Sequence, residues 1–380
     1  MRKFEALLAI LLIAAGVAGI RSSAQDSVRG EWKARFESRA EGRSFYLELR
    51  TSSWNHSHSW GSTHEIGEFQ GLDAKLASAE DSPTHFELRR DAGNFVFDGR
   101  FRQGEGSGEF RFTPNQEYVQ EMKGLGYAGL SLDQLFAFAA HDVTRQFVKE
   151  MGELGYRNLP PDQLIALRIH GATPEFVRAM KGLLPGAPSV DQLVVMRIHG
   201  VSPEFVKEMR ELLGKQFSVD ALVAFRIHGV SPEFVKGIQG AVDKNATADQ
   251  LVALRIHGAA PEFAKAMRDL LGRQLTSDEL VAMRIHGVSP EFTQQMQELV
   301  SKDLSVDQLV AFRIHGASPE FVKEMKEAGY EHIAPDQLVA MRIHGVNKAF
   351  VLEARARGYK DLTIDRLIEL RIHGLRRASL

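Results

Sequence analysis

The sequence predicts an α+β multidomain protein, in which a small antiparallel β domain is followed by an α-solenoid of nine short helix pairs. Two observations carry this prediction. Residues 25–113 contain glycines, aromatic residues and alternating apolar and polar positions, a pattern typical of strands. Residues 114–374 form helix-favouring runs in which one motif returns every 29 residues, as from His141 to His170, without insertion or deletion. Such a fixed period indicates stacked supersecondary units.

Residues 1–24 have the pattern of a secretory signal peptide. Arg2 and Lys3 precede an apolar stretch over residues 7–20, and Ala24 ends a small-residue cleavage pattern. The apolar stretch is shorter than the roughly 20 residues of a membrane-spanning helix. The sequence therefore predicts cleavage after Ala24 and a periplasmic or secreted protein. The alternative is an uncleaved segment that anchors the chain in the inner membrane and provides its membrane contact.

Composition excludes several classes of function. The chain has 47 Lys and Arg against 49 Asp and Glu, so its net charge of −2 gives no electrostatic footprint for a nucleic acid. The absence of cysteine rules out disulfides, thiolate metal sites and a cysteine nucleophile. Stability must therefore come from packing.

The β domain is expected to contain about six short strands, enough for a sandwich or a curled sheet. Residues 94–101 and 109–112 read as two alternating strands that are joined by a glycine-rich turn over 104–108. Residues 91–94 are expected to form a second turn just upstream.

Histidine marks the helical repeat. An aromatic residue recurs in the same register from Tyr118 to Phe350, and an aspartate from Asp133 to Asp365. The histidines, mostly in an Arg-Ile-His-Gly setting, are His141, His170, His199, His228, His257, His286, His315, His344 and His373.

The repeat that begins at Ser305 shows why each copy should form two helices. Ser305 and Gln308 have the spacing of a capping box, which starts the first helix. Gly316 supplies the left-handed residue that ends it. Ser318 and Pro319 then start a second helix as N-cap and first helical residue. Helices this short are marginal alone, so each pair must pack on its neighbours.

On a helical wheel Ile314 falls within the broad apolar arc of the first helix, and Arg313 lies near the centre of that arc. A partly buried guanidinium needs acceptors, and Asp307 and Glu320, or their counterparts one layer away, are available. The pattern predicts a structural Arg–carboxylate ladder. The functional alternative is a binding stripe for phosphate or an acidic ligand. The arginines are Arg168, Arg197, Arg226, Arg255, Arg284, Arg313, Arg342 and Arg371.

The repeated histidines are expected to make caps or interlayer hydrogen bonds at the helix ends. A shared metal ion is the alternative. Equivalent residues in adjacent layers should lie about 8–10 Å apart, whereas zinc ligands lie about 2 Å from the ion. One ion therefore cannot join two layers.

His56, His58 and His64 are the candidate metal ligands of the β domain. His-x-His on a strand places both imidazoles on one face, where zinc can bind. However, serine and glycine surround these residues, so a loop with solvated histidines is the expected structure. Residues 64–68 lack the second histidine of a zinc-peptidase helix, and residues 104–108 lack the lysine of a phosphate loop. No catalytic constellation and no cofactor are predicted.

The repeats, typified by residues 307–322 (DQLVAFRIHGASPEFV), resemble tandem segments of bacterial envelope proteins. In some relatives such segments follow a membrane metallopeptidase of the β-lactam-sensor type. The resemblance implies a signalling or interaction role in the envelope. Its peptidase portion, with several membrane helices and His-Glu-x-x-His, has no counterpart here, so enzymatic activity is not implied. The resemblance covers residues 115–374 and only loosely the β region.

These observations predict a non-enzymatic protein-interaction scaffold of the bacterial envelope, whose solenoid binds a protein partner. The domains are a signal peptide (1–24), a β-rich domain (25–113), the solenoid (114–374) and a tail (375–380). One alternative is a metal-binding or metal-dependent hydrolytic β domain, and another is a structural or adhesive surface protein. The identity of the partner, the binding face and the oligomeric state stay open.

Overall fold

A computed structural model describes residues 27–37, 44–53, 56–242 and 246–375, without the side chains of 52–58. The predicted signal peptide lies outside these residues. The chain divides into two compact units, residues 1–168 and 169–380. The division falls inside the helical array, and the domain boundary at 113/114 stays a prediction. The strands of the first unit are β1 (Val28–Phe36), β2 (Ser44–Ser53), β3 (His56–Glu65), β4 (Phe69–Gln70), β5 (Ser82–Arg90), β6 (Gly93–Arg102) and β7 (Glu105–Pro114).

These seven strands form one antiparallel sheet in the order β3-β2-β1-β7-β6-β5-β4. The sheet curls around a phenylalanine-rich core. Phe45 on β2, the second strand in this order, and Phe69 on β4, the last, have ring centroids only 4.8 Å apart. The curled sheet was one of the two predicted architectures. The expected turn at 91–94 is confirmed, because β5 ends at Arg90 and β6 begins at Gly93.

Three glycines make room for the buried indole of Trp32. A Cβ atom at Gly99, Gly106 or Gly108 would lie 2.7–2.8 Å from an atom of the Trp32 ring. The indole Nε1 donates to the Asp98 carbonyl at 3.2 Å. The prediction of a glycine-rich turn over 104–108 was therefore wrong: the turn is limited to residues 103–104, and the later glycines lie within β7 because Trp32 packs against them.

Eighteen short helices follow the sheet in the described residues, which confirms the repeated helical arrangement. Those with even numbers begin the 29-residue unit and are called A helices here; those with odd numbers are called B helices. They are α1 (Gln116–Gly124), α2 (Leu132–Ala140), α3 (Arg145–Glu153), α4 (Pro161–Ile169), α5 (Pro174–Leu183), α6 (Val190–Ile198), α7 (Pro203–Leu213), α8 (Val219–His228), α9 (Pro232–Ile238), α10 (Ala248–Ile256), α11 (Pro261–Leu271), α12 (Ser277–Ile285), α13 (Pro290–Leu299), α14 (Val306–His315), α15 (Pro319–Glu327), α16 (Pro335–Ile343), α17 (Lys348–Ala356) and α18 (Ile364–His373).

The local signals of the sequence set the helix ends. Ser305 and Gln308 form the predicted capping box of α14, and Gly316 ends the helix at φ 73°. Ser318 accepts a hydrogen bond from the backbone N–H of Phe321 at the start of α15. In the second unit, each A helix from α6 to α18 packs on the next A helix, and each B helix from α5 to α15 packs on the next B helix. The unit therefore has two parallel layers, with the large apolar side chains buried between them.

In the first unit, α2 closes one side of the sheet. Its Phe136 ring lies 4.7 Å from Trp60 and 5.4 Å from Phe95. An ion-pair network adds to this contact. The guanidinium of Arg145, at the start of α3, binds Asp91 in the β5–β6 turn at 2.6 Å and Glu121 on α1 at 2.5 Å. The first helices and the sheet thus share one core.

No helix among the described residues is long and apolar enough to cross a membrane.

Candidate interaction surface

The repeated arginines stack on phenylalanine rings in every repeat of the second unit, and each such stack is called a rung here. Each arginine near the end of an A helix lies over the phenylalanine of the preceding B helix. Its guanidinium also covers the glycine that ends the preceding A helix, where a Cβ would meet it at 3.1–3.5 Å. The distances from Cζ to the ring centroid are Arg197–Phe176 5.2 Å, Arg226–Phe205 5.1 Å, Arg255–Phe234 4.9 Å, Arg284–Phe263 5.1 Å, Arg313–Phe292 4.8 Å, Arg342–Phe321 5.0 Å and Arg371–Phe350 4.8 Å.

The predicted Arg–carboxylate ladder was therefore wrong in its partners, and Arg313 is exposed rather than partly buried. Nε of Arg197 donates to the His170 carbonyl at 3.2 Å, and Nε of Arg284 repeats this bond at 3.3 Å. In the described part of the second unit, none of the seven stacked arginines pairs with a carboxylate. Arg168, in the first unit, does pair with Asp142.

The glutamates that were expected to pair with these arginines accept hydrogen bonds at the start of their own helices. A hydrogen bond from its own backbone N–H, and another from the Ser318 hydroxyl, hold the pKa of the Glu320 carboxyl below its usual value. The equivalent glutamates Glu204, Glu233 and Glu291 behave in the same way. A carboxylate in the first turn is stabilised by the helix dipole. Because the glutamates cap their own helices, the guanidinium groups stay open to an external acceptor.

The interlayer hydrogen bonds use the histidine main chain and not the imidazole. His170 and His257 accept through their carbonyl oxygens. From His228 to His373 the side chains are exposed, and no hydrogen bond to them occurs within the described residues. His141, in the first unit, differs, since burial lowers the pKa of its imidazole.

Isoleucine provides the largest departure from expectation. The helical wheel places Ile314 in the apolar arc, but its side chain, in the last turn of α14, is 54% exposed. All eight equivalents are exposed by 45–57%: Ile169, Ile198, Ile227, Ile256, Ile285, Ile314, Ile343 and Ile372. An apolar side chain repeated in this way on one surface marks an interaction site more often than isolated exposed residues do.

We call the seven triplets from Arg197-Ile198-His199 to Arg371-Ile372-His373 the Arg-Ile-His stripe. Beside it, each A helix shows one outer face. In α14, Asp307 and Ile314 are exposed, with the partly exposed Val310 between them. Seven residues span about 10.5 Å along a helix. The A layer thus presents, in order, an acidic row (Asp307 and its equivalents), an apolar band (Val310 and its equivalents) and the stripe.

The β domain was expected to hold its histidines in a loop, but residues 56–65 form strand β3. The side chains of His56 and His58 lie outside the described residues. His64 uses both ring nitrogens, with Nε2 2.7 Å from the Ser62 hydroxyl and Nδ1 3.4 Å from Glu68. Burial lowers its pKa against the opposing effect of Glu68. No cluster of three potential metal ligands occurs among the described residues, and the metal site stays a prediction.

A charged cleft of about 580 Å³ lies on the outer face of the sheet. Two of its three arginines approach a carboxylate within the protein. Arg100 and Arg102 approach Asp81 at 2.8 and 3.4 Å, and Arg35 stacks on Tyr46 at 5.2 Å. The cleft is therefore a weaker candidate for binding than the stripe, whose arginines lack acidic partners.

Sequence reasoning listed the arginines and histidines but missed the exposed isoleucine between them. The signal was present, since isoleucine occupies this position in eight consecutive repeats. Comparison with family models of known proteins gives no match, and a comparison with curated proteins also gives none.

Proposed function

We propose that this chain is a non-enzymatic protein-interaction scaffold of the bacterial envelope, and that the Arg-Ile-His stripe with the adjoining apolar band is its binding surface. The observation that carries the proposal is the row of exposed isoleucines. Each side chain is already about half buried, so covering the rest against a partner contributes about half of the 1.5–3 kcal/mol of a full burial, before the costs of association. Several repeats must therefore act together to give specific binding.

The structural support for this role is that, within each repeat, the side chains that pack the two layers together are different from the side chains that are exposed. Phe321, Met325 and Leu309 are at most 5% exposed and hold the two layers together. Ile314 and His315 contribute little to that packing, because both are exposed. The predicted export signal and the resemblance to envelope repeats support a role outside the cytoplasm.

The test is affinity capture with the full chain as bait, followed by quantitative mass spectrometry. Wild type is compared with a triple variant, Ile256→Ser, Ile285→Ser and Ile314→Ser. Exposed substitutions of this kind usually change stability by less than about 0.5 kcal/mol each, so the variant should fold. We expect at least one protein to be recovered by wild type and lost with the triple variant.

Leu352→Ser is the matched control, because Leu352 is 51% exposed but belongs to B helix α17. It should retain every partner that wild type recovers. If the triple variant and the control lose the same proteins, or if the triple variant loses none, the stripe is not the binding surface.

A further inference from the structure

We propose that the partner segment received by the Arg-Ile-His stripe is an acidic amphipathic α-helix that lies along the stack of A helices. This inference rests on the proposed function and goes beyond it, since it specifies the chemistry of the partner. It follows from the state of the arginines, the spacing of the rungs and the position of the acidic row.

The repeated arginines are positioned to bind carboxylates. Each guanidinium is fixed in place against a ring, as in Arg313 over Phe292 at 4.8 Å, and has no acidic partner within the described second unit. A fixed guanidinium loses little conformational freedom on binding, and its remaining N–H groups match a carboxylate. Seven such groups in one line favour a partner with acidic residues in a line.

The rung spacing favours a helix over an extended strand. Packed helices repeat at about 8–10 Å. Residues on one face of a strand repeat at about 6.6–6.8 Å, which falls out of step with the rungs. Residues seven apart in an α-helix repeat at about 10.5 Å, close to the spacing of the rungs. A helical partner can therefore place one acidic and one apolar residue against each successive rung.

The acidic row fixes how the partner helix is turned. Asp220, Asp249, Asp278 and Asp307 are exposed on the opposite side of the apolar band from the stripe. Like charges repel, so the acidic flank of the partner must face the arginines and histidines. Its apolar flank then covers Ile314 and the equivalent isoleucines. The flank towards the aspartates must be uncharged or basic.

The test uses the full chain and a fluorescent synthetic peptide of about four heptads, with leucine along one flank and glutamate along the neighbouring flank. One control peptide has glutamine in place of glutamate. Another has the same composition, but its leucines and glutamates are distributed evenly around the helix. Binding is measured by fluorescence anisotropy, and the mass of the wild-type chain is measured by light scattering across the same concentrations.

We expect the glutamine peptide and the permuted peptide each to bind wild type at least about tenfold more weakly than the acidic amphipathic peptide. The triple isoleucine variant should weaken the acidic peptide by a similar factor, and Leu352→Ser should not. Equal binding of the three peptides, or no binding, overturns the proposal. So does an isoleucine-dependent dimer that excludes the peptide, because the occupant is then a second copy.

These outcomes separate the two proposals. If affinity capture recovers an isoleucine-dependent partner while the acidic peptide fails, the stripe binds protein but the inferred chemistry is wrong. If the peptide binds through the isoleucines while capture recovers nothing, the recognition chemistry stands and the role as a protein scaffold loses its support.

Discussion

The stacking of Arg284 on Phe263 allows a quantitative test of the structural role of the repeated arginines. Arg284→Met keeps an unbranched apolar stem but removes the guanidinium, which lies 5.1 Å from the Phe263 ring and donates to the His257 carbonyl at 3.3 Å. An exposed cation–π contact contributes about 0.5–1 kcal/mol, and one hydrogen bond about 1 kcal/mol. The expected loss of unfolding free energy is therefore about 1.5–2 kcal/mol.

A double-mutant cycle with Phe263→Leu isolates the ring contact. The four proteins are unfolded in urea and followed by far-ultraviolet circular dichroism, and equal m-values show that they undergo the same transition. The coupling energy should be about 0.5–1 kcal/mol, because only the ring contact is shared by both changes.

Arg210→Met provides the control for the loss of a positive charge. Arg210 is exposed on B helix α7, and no ion pair or stacked ring involves it in the described residues. This change should alter stability by less than about 0.5 kcal/mol. If Arg284→Met costs no more than the control, or if the coupling is below about 0.3 kcal/mol, the arginines are not structural elements of the stack.

Three further predictions concern other parts of the chain. Gly106→Ala should lower the free energy of unfolding by about 1–3 kcal/mol, because its Cβ would lie 2.7 Å from Trp32. The unfolding is followed by tryptophan fluorescence. Gly258→Ala should cost about 1 kcal/mol in a urea titration, since its φ is 69°, whereas Gly182→Ala in α5 has open space and should stabilise. Burial lowers the pKa of His141 from its ordinary value of 6.5, so the unfolded chain gains the proton first and stability is lost as the pH falls below that value. Wild type should therefore lose more stability than His141→Gln between pH 7.5 and 5.5 in chemical denaturation, and equal losses would contradict this assignment.

The helix ends could be predicted because their determinants are local. A cap such as Ser305 and its partner Gln308 lie three residues apart, and Gly316 ends the helix through its own backbone. Nothing distant competes with these contacts. The same reasoning succeeded for the turn at 91–94, where the chain reverses within a few residues.

The sequence could not reveal contacts that depend on the third dimension. A helical wheel gives the direction of Ile314 from its axis, but only the packed layers show that this direction leads away from the core. The sequence offered Asp307 and Glu320 as acceptors for Arg313. The carboxylate of Glu320 instead accepts hydrogen bonds at the start of its own helix. Gly106 was misread for a similar reason, since the indole that requires it comes from β1.

The repeated arginines contact the main-chain carbonyl of the histidine and not its side chain. Every residue type has a main-chain carbonyl, so the contact made by Arg284 with residue 257 does not require an imidazole there. The nine copies within the chain form an internal alignment, in which packing explains the phenylalanine but does not explain the histidine or the isoleucine. The histidine recurs in all nine copies and the isoleucine in eight, and in the second unit both side chains are largely exposed, as the proposed binding role requires.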